Sequence, residues 1–174
     1  VKYNLNTTAF HKTEWKAGDL LIQSDLAKTL EDIRDHGRVG FYDGRVGDLI
    51  VAEMKAGGGI ISHDDLRNYQ AVWRTPMTTI YRGHKIICMP PPSSGGVALT
   101  QLLEMVEPYD LSQMKFQSAA SVHLIVEAER RAYADRAKHL GDPDFYPVPV
   151  KEITDSLYLL NRMKSFDPRK ASKS

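Results

Sequence analysis

Met89-Pro90-Pro91-Pro92-Ser93-Ser94-Gly95-Gly96 is the stretch on which the fold turns. Before it, Thr75 to Tyr81 is rich in Thr, Ile and Tyr, and His84 to Met89 carries Ile86 and Ile87. Arg82-Gly83 between them is a hairpin turn, so residues of about 75–89 read as two antiparallel strands. The three prolines donate no backbone hydrogen bonds, so they predict an extended, rigid exit from the hairpin. After the glycines, Leu99, Leu102, Leu103 and Val106 align at helical spacing until Pro108 ends the helix. The period changes from strand to helix across these eight residues. An α+β arrangement follows.

The same residues admit two local readings. Free N–H groups at a helix start, with the hydroxyls of Ser93 and Ser94 beside them and Gly95 and Gly96 allowing close approach, could bind an anion or carboxylate. Alternatively, the segment is a rigid strand-to-helix connector whose Ser caps the next helix. A P-loop is excluded because no Lys follows the glycines.

Upstream, the first fifteen or so residues show no period and read as an irregular lead-in. Ser24 is the expected N-cap of a helix carrying Leu26, Leu30 and Ile33, with Gly37 as its stop. A turn through Gly40 and Gly44 leads to a second amphipathic stretch with Val46, Leu49, Ile50 and Met54, ended by Gly57-Gly58-Gly59. Ser62 and Asp65 have capping-box spacing before a short helix over Leu66 and Tyr69. Downstream, a long helix is predicted from about Ala119 to Leu140, its apolar face Val122, Ile125, Val126, Ala132 and Tyr133. Ile153, Leu157, Leu160 and Met163 support one more. Ser165 to Ser174 is polar and Lys-rich without a hydrophobic period, which predicts a mobile tail after a helical portion spanning residues 1–164.

The composition frames what such a chain can do. Its 174 residues are 42% hydrophobic and 26% charged, as in an ordinary globular protein. With 23 Lys and Arg against 22 Asp and Glu, the net charge of +1 gives no general attraction to nucleic acid or to an anionic membrane. The apolar runs are only a few residues long, so no transmembrane helix and no membrane contact are expected. Cys88 stands alone, which excludes an intrachain disulfide and a Cys-based zinc site.

Charge is concentrated between Glu127 and Arg136. Glu127 to Arg131 and Arg131 to Asp135 are i,i+4 pairs of opposite sign. Glu129, Tyr133 and Arg136 share a stripe beside the expected apolar face, so Glu129, Arg131, Asp135 and Arg136 are candidates for structural ion pairing or contact with a neighbouring subunit. The six histidines (His11, His36, His63, His84, His123 and His139) form no i,i+3 or i,i+4 pair, so no metal site is expected. No Gly-x-Ser-x-Gly elbow supports a serine triad. Cys88, after two Ile residues in a strand, reads as packing. The residues by themselves display no complete catalytic machine and call for no cofactor.

Three stretches taken together resemble the γ-glutamyltranspeptidase family: Leu21-Ile22-Gln23-Ser24-Asp25-Leu26-Ala27-Lys28-Thr29-Leu30, Met89 to Gly96, and Ala128 to Arg136 with Leu140-Gly141-Asp142-Pro143-Asp144-Phe145. Their order and spacing are those of the C-terminal part of that family's large subunit, and the resemblance runs from about Asp19 to the end. It implies an α+β fragment of the four-layer αββα N-terminal nucleophile hydrolase fold. It also implies a precursor that cuts itself into large and small subunits, exposing a Thr nucleophile whose own α-amine is the base. That Thr would attack a γ-glutamyl amide such as glutathione and pass the acyl group to water or an amine.

By the same resemblance, the Thr is expected beyond Ser174, and the Arg that holds the substrate α-carboxylate is expected before Val1. No catalytic residue therefore carries over to this chain, which is expected to be inactive without its small-subunit partner. Residues 165–174 would be the mobile tail before the processing site. Ser93, Ser94, Gly95 and Gly96 would line or support the cleft wall. The family further implies a periplasmic or secreted location. Two alternatives remain open at this point: a related acylase acting on a β-lactam side chain, and a non-catalytic helical binding or scaffold domain.

Overall fold

The structure is a computed structural model that describes residues 14–172. The irregular lead-in expected over the first fifteen residues falls almost entirely outside them. Contacts divide the chain into two compact units, one ending at Val72 and the other beginning at Trp73. The division falls inside the portion 1–164 that the sequence presents without a break.

The first unit is helical. Helix α1 spans Ser24–His36, α2 Arg38–Tyr42, α3 Gly44–Gly57 and α4 His63–Asn68. Gln23 rather than Ser24 precedes the first helical residue, and no side chain caps α1. Gly37 ends it as expected, in a backbone conformation with φ of 57°. The expected turn through Gly40 is instead the short helix α2. Gly40 is required there because a Cβ would sit 2.0 Å from the Asp32 carbonyl oxygen. Ser62 and Asp65 form the capping box at α4, each side chain accepting from the other residue's backbone N–H. Arg38 donates to the carbonyls of Arg67 (2.7 Å) and Tyr69 (2.6 Å), tying α2 to the end of α4. Val46 and Leu66 are buried, while Leu26 and Leu30 of α1 remain about half exposed.

The second unit begins with the hairpin. Strands β1 (Met77–Tyr81) and β2 (His84–Cys88) pair antiparallel, with Met77 opposite Cys88 and Tyr81 opposite His84. Arg82 and Gly83 both have positive φ, 48° and 80°, as a two-residue loop matching the strand twist requires. Pro91 and Pro92 lie in a turn, with a cis peptide between them, where the sequence leads one to expect an extended run. Helix α5 (Gly95–Val106) follows, then α6 (Ala119–His139), α7 (Val150–Ile153) and α8 (Ser156–Met163). The single helix expected near the C-terminus is thus two, broken at Thr154 and Asp155, where the Asp155 side chain caps α8.

Helices α5, α6 and α8 pack around Met105, Val106, Leu124, Ala128, Ala132, Leu159 and Met163. Of the residues expected to face inward, Val106, Ala132, Ile153 and Met163 are buried, but the faces otherwise differ. In α6, Val122, Ile125, Val126 and Tyr133 are between 36% and 60% exposed, whereas Leu124, Ala128 and Ala132 are buried. In α5 the buried stripe is Val97, Gln101 and Met105 rather than Leu99. In α8 Leu159 is buried and Leu157 and Leu160 are exposed. The inward side of α6 carries charge as well as small apolar residues, so a reading weighted by hydrophobicity rotates the helix.

Candidate functional site

Two clusters in the second unit hold the residues the sequence singles out. The first lies where the hairpin meets α5. Gly96 is buried, and a Cβ there would stand 2.1 Å from the Met89 carbonyl oxygen and 2.9 Å from Cys88 Cβ. The glycine lets the helix start against the backbone leaving β2. Gly95 is not so confined, since its Cβ would meet only Ser93 Oγ at 3.5 Å. Ser93 Oγ accepts from the Gly95 N–H at 3.3 Å. Ser94 does not cap α5; its Oγ accepts from Arg136 Nε at 2.9 Å. That bond ties the start of α5 to the last turn of α6, and Arg136 also lies over the Tyr133 ring at 5.9 Å. The geometry is that of a packed connector, closed by hydroxyls and one exposed arginine.

The second cluster runs along α6. Glu127, Arg131 and Asp135 are 1%, 7% and 4% exposed, a buried line of alternating charge. Arg131 donates to the Glu127 carboxylate at 2.7 Å, the i,i+4 pair that the spacing predicts. The other predicted partner differs. Asp135 pairs with Arg162 of α8 (3.0 Å) and accepts from the Tyr158 hydroxyl (2.9 Å) and Gln101 Nε2 (3.1 Å). Gln101 also donates to the Ile153 carbonyl at 2.8 Å, so one amide group joins α5, α6 and α7. Burial, with the bond to Asp135 second, pushes the Tyr158 phenol above its ordinary range. Glu129 is exposed on α6, apart from this buried line.

The polar segment after α8, expected as a tail, takes part in this cluster through Ser172. Arg131 Nη2 donates to Ser165 Oγ (2.9 Å), and its Nε donates to the Arg162 carbonyl (2.8 Å). His123 Nε2 hydrogen-bonds the Asp167 carbonyl (2.9 Å), and Phe166 packs edge-on to Tyr109. Ser172 donates to Glu127 twice, from its N–H to Oε1 (3.1 Å) and from its hydroxyl to Oε2. Arg130 donates to the Glu127 carboxylate (3.0 Å) and to the Ser172 carbonyl. The Ser172 hydroxyl, then Arg131 and the Ser172 N–H, hold the Glu127 carboxyl down to about 2. A cavity of about 480 Å³ opens beside Arg130, Arg131, Arg162, Ser165 and Ser172. Lys173 and Ser174 lie outside the described residues.

Sequence spacing finds the Glu127–Arg131 pair but not Ser165, Ser172, Gln101, Tyr158 or Arg162, whose partners lie 23 to 52 residues away. Among the described residues no group of His, Cys, Asp and Glu is placed to hold a metal ion, and no helix is long and apolar enough to cross a membrane. Both clusters join elements together.

The family model for gamma-glutamyltranspeptidase matches residues 4–174. The chain belongs to the gamma-glutamyltranspeptidase family. Among its relatives, the glutathione hydrolase proenzyme of Escherichia coli is 43% identical over 159 residues, 91% of this chain and 27% of that protein. Acylase ACY 1 proenzyme of Pseudomonas sp. is also 43% identical, over 141 residues that make up 81% of this chain and 25% of that protein. The crystal structure of Helicobacter pylori gamma-glutamyltranspeptidase matches with a TM-score of 0.76 and 42% identity, over 94% of this chain and 48% of that one. The chain thus spans about a quarter of the length of these curated relatives. Membership bears out the helix-dominated α+β reading with one hairpin, as a fragment of the N-terminal nucleophile hydrolase fold of the gamma-glutamyltranspeptidases.

Proposed function

We propose that this chain is the C-terminal part of the large subunit of a γ-glutamyltransferase or hydrolase, made as a precursor and completed by a small subunit that carries a Thr nucleophile. The match to the glutathione hydrolase proenzyme of E. coli over 91% of the chain supports this most directly. In the complete protein, the Thr Oγ adds to the γ-carbonyl of a γ-glutamyl amide such as glutathione, and its proton passes to the Thr α-amine. That amine protonates the departing amino group as the C–N bond breaks, leaving a γ-glutamyl ester on Thr. Water or an acceptor amine then attacks the ester, releasing glutamate or a new γ-glutamyl amide and regenerating the Thr hydroxyl.

On this reading the chain contributes scaffold. Gly96 seats α5 against the hairpin, and Ser94 with Arg136 fixes the connector, so Ser93 to Gly96 supports the cleft wall. Arg131 and Asp135 set α6 against α8, while exposed Glu129 and Arg136 are available to the small subunit. Export to the periplasm or the exterior fits the family.

Expression of the complete gene tests the proposal. Two fragments should appear on a denaturing gel, and the processed protein should release the chromophore of a γ-glutamyl anilide. The 174-residue chain alone should release none, and release by that chain would overturn the assignment of catalysis to the partner. The likeness to Acylase ACY 1 proenzyme favours acylase action as a second reading, for which we take a glutaryl-type side chain on a β-lactam as the substrate class. Faster turnover of that amide than of the γ-glutamyl anilide would decide for the acylase.

A further inference from the structure

Glu127 has a partner set that packing alone does not require. Its side chain is 2% exposed, and burying a carboxylate is costly unless charged and hydrogen-bonding partners surround it. Arg131 at 2.7 Å and Arg130 at 3.0 Å already supply them from the same helix. The carboxylate nevertheless also takes both donors of Ser172, 45 residues along the chain.

The route of the chain between α8 and Ser172 gives these bonds a direction. Ser165 is held by Arg131, and the backbone then runs along α6 to Asp167, whose carbonyl meets His123. It reverses through a bridge between Asp167 and Lys170 and returns to Ser172 at Glu127. Three successive anchors on one helix therefore fix where this polar segment goes. It has few apolar side chains of its own to bury, and ordering it costs conformational entropy at every residue.

We propose that Glu127, supported by Arg131, is a positioning residue for self-cleavage of the precursor: by gripping Ser172 it sets the direction in which the chain leaves α6 toward the bond that is cut. The inference rests on the precursor reading given above. Attack by a Thr hydroxyl on the peptide carbonyl before it needs a defined near-attack geometry. An anchor upstream of that bond shortens the free chain and raises the population of the reactive arrangement.

The test uses the full-length precursor, purified early and followed by the disappearance of the uncut band. Ser172→Ala removes the hydroxyl bond while Arg130 and Arg131 still pair Glu127, so self-cleavage should slow threefold to tenfold in a precursor that remains folded at the assay temperature. Ser172→Thr keeps a hydroxyl and should restore the wild-type rate, a rescue that a purely structural contribution from this segment would not show. Glu127→Gln should be at least as slow as Ser172→Ala. If Glu127→Gln fails to fold, the two Ser172 variants decide. Wild-type rates in Ser172→Ala, or a Thr variant as slow as the Ala variant, would overturn the inference while leaving the precursor reading intact. A wild-type precursor that never cuts itself would overturn both.

Discussion

Replacing Gly96 by Ala adds one methyl group at the point where α5 starts against the hairpin. The new Cβ would lie 2.1 Å from the Met89 carbonyl oxygen and 2.9 Å from Cys88 Cβ. A carbonyl of the main chain cannot rotate out of the way as a side chain can, so α5 must shift from the exit of β2. Overpacking of this kind costs about 3 kcal/mol at the upper end of its usual range. Alanine returns about 1 kcal/mol of helix propensity over glycine. The net loss is about 2 kcal/mol, or roughly 30-fold in an opening equilibrium. Gly95→Ala is the internal control. It adds the same methyl one residue earlier, with nothing closer than Ser93 Oγ at 3.5 Å, so it keeps the propensity gain without the clash. Hydrogen exchange of amides in residues 95–106 of the complete protein reads the local opening directly. Exchange should accelerate about 30-fold in Gly96→Ala and slow by up to about fivefold in Gly95→Ala. Equal protection in the two variants would refute the argument that the close approach at Met89 seats the helix.

The buried charges make two further predictions. Glu127 has an ordinary pKa of 4.5 and is held down to about 2, so its contribution is complete above pH 4.5 and is lost as pH falls toward 2. The stability difference between wild type and Glu127→Gln, followed by acid titration of unfolding, should therefore shrink by up to about 3 kcal/mol across that window; a difference independent of pH would refute it. Asp135→Ala should cost about 3 kcal/mol in chemical denaturation, because it leaves the Tyr158 hydroxyl and one donor of Gln101 without a partner and takes the carboxylate from Arg162, which keeps only its bond to the Arg131 carbonyl. In the same variant, spectrophotometric titration should show Tyr158 ionising at lower pH, since one of the groups holding its phenol up is gone.

The elements that the sequence announces are those specified by their own neighbours. Arg82-Gly83 takes positive φ at both positions, and Ser62 and Asp65 satisfy each other within four residues, so the turn and the cap are legible locally, although Glu107 and the Tyr109 carbonyl also accept from Arg82. The same holds for the 21 residues of α6. What local pattern misplaces is the face each helix turns inward. Hydrophobicity points α6 toward Val122, Val126 and Tyr133, but burial follows Leu124, Glu127, Ala128, Arg131 and Asp135. Those charges are inside because Ser172, Arg162, Tyr158 and Gln101 meet them there, and each partner comes from a segment that spacing along α6 cannot reveal. The apolar residues left on the outer side of α6, and those of α1, have no such long-range polar partner. In a family with proenzyme members more than three times this length, that distribution has a physical reading. The polar bonds lock the second unit's own helices in register, while on the precursor reading proposed above the outward apolar stripes are surface that the rest of that precursor can bury.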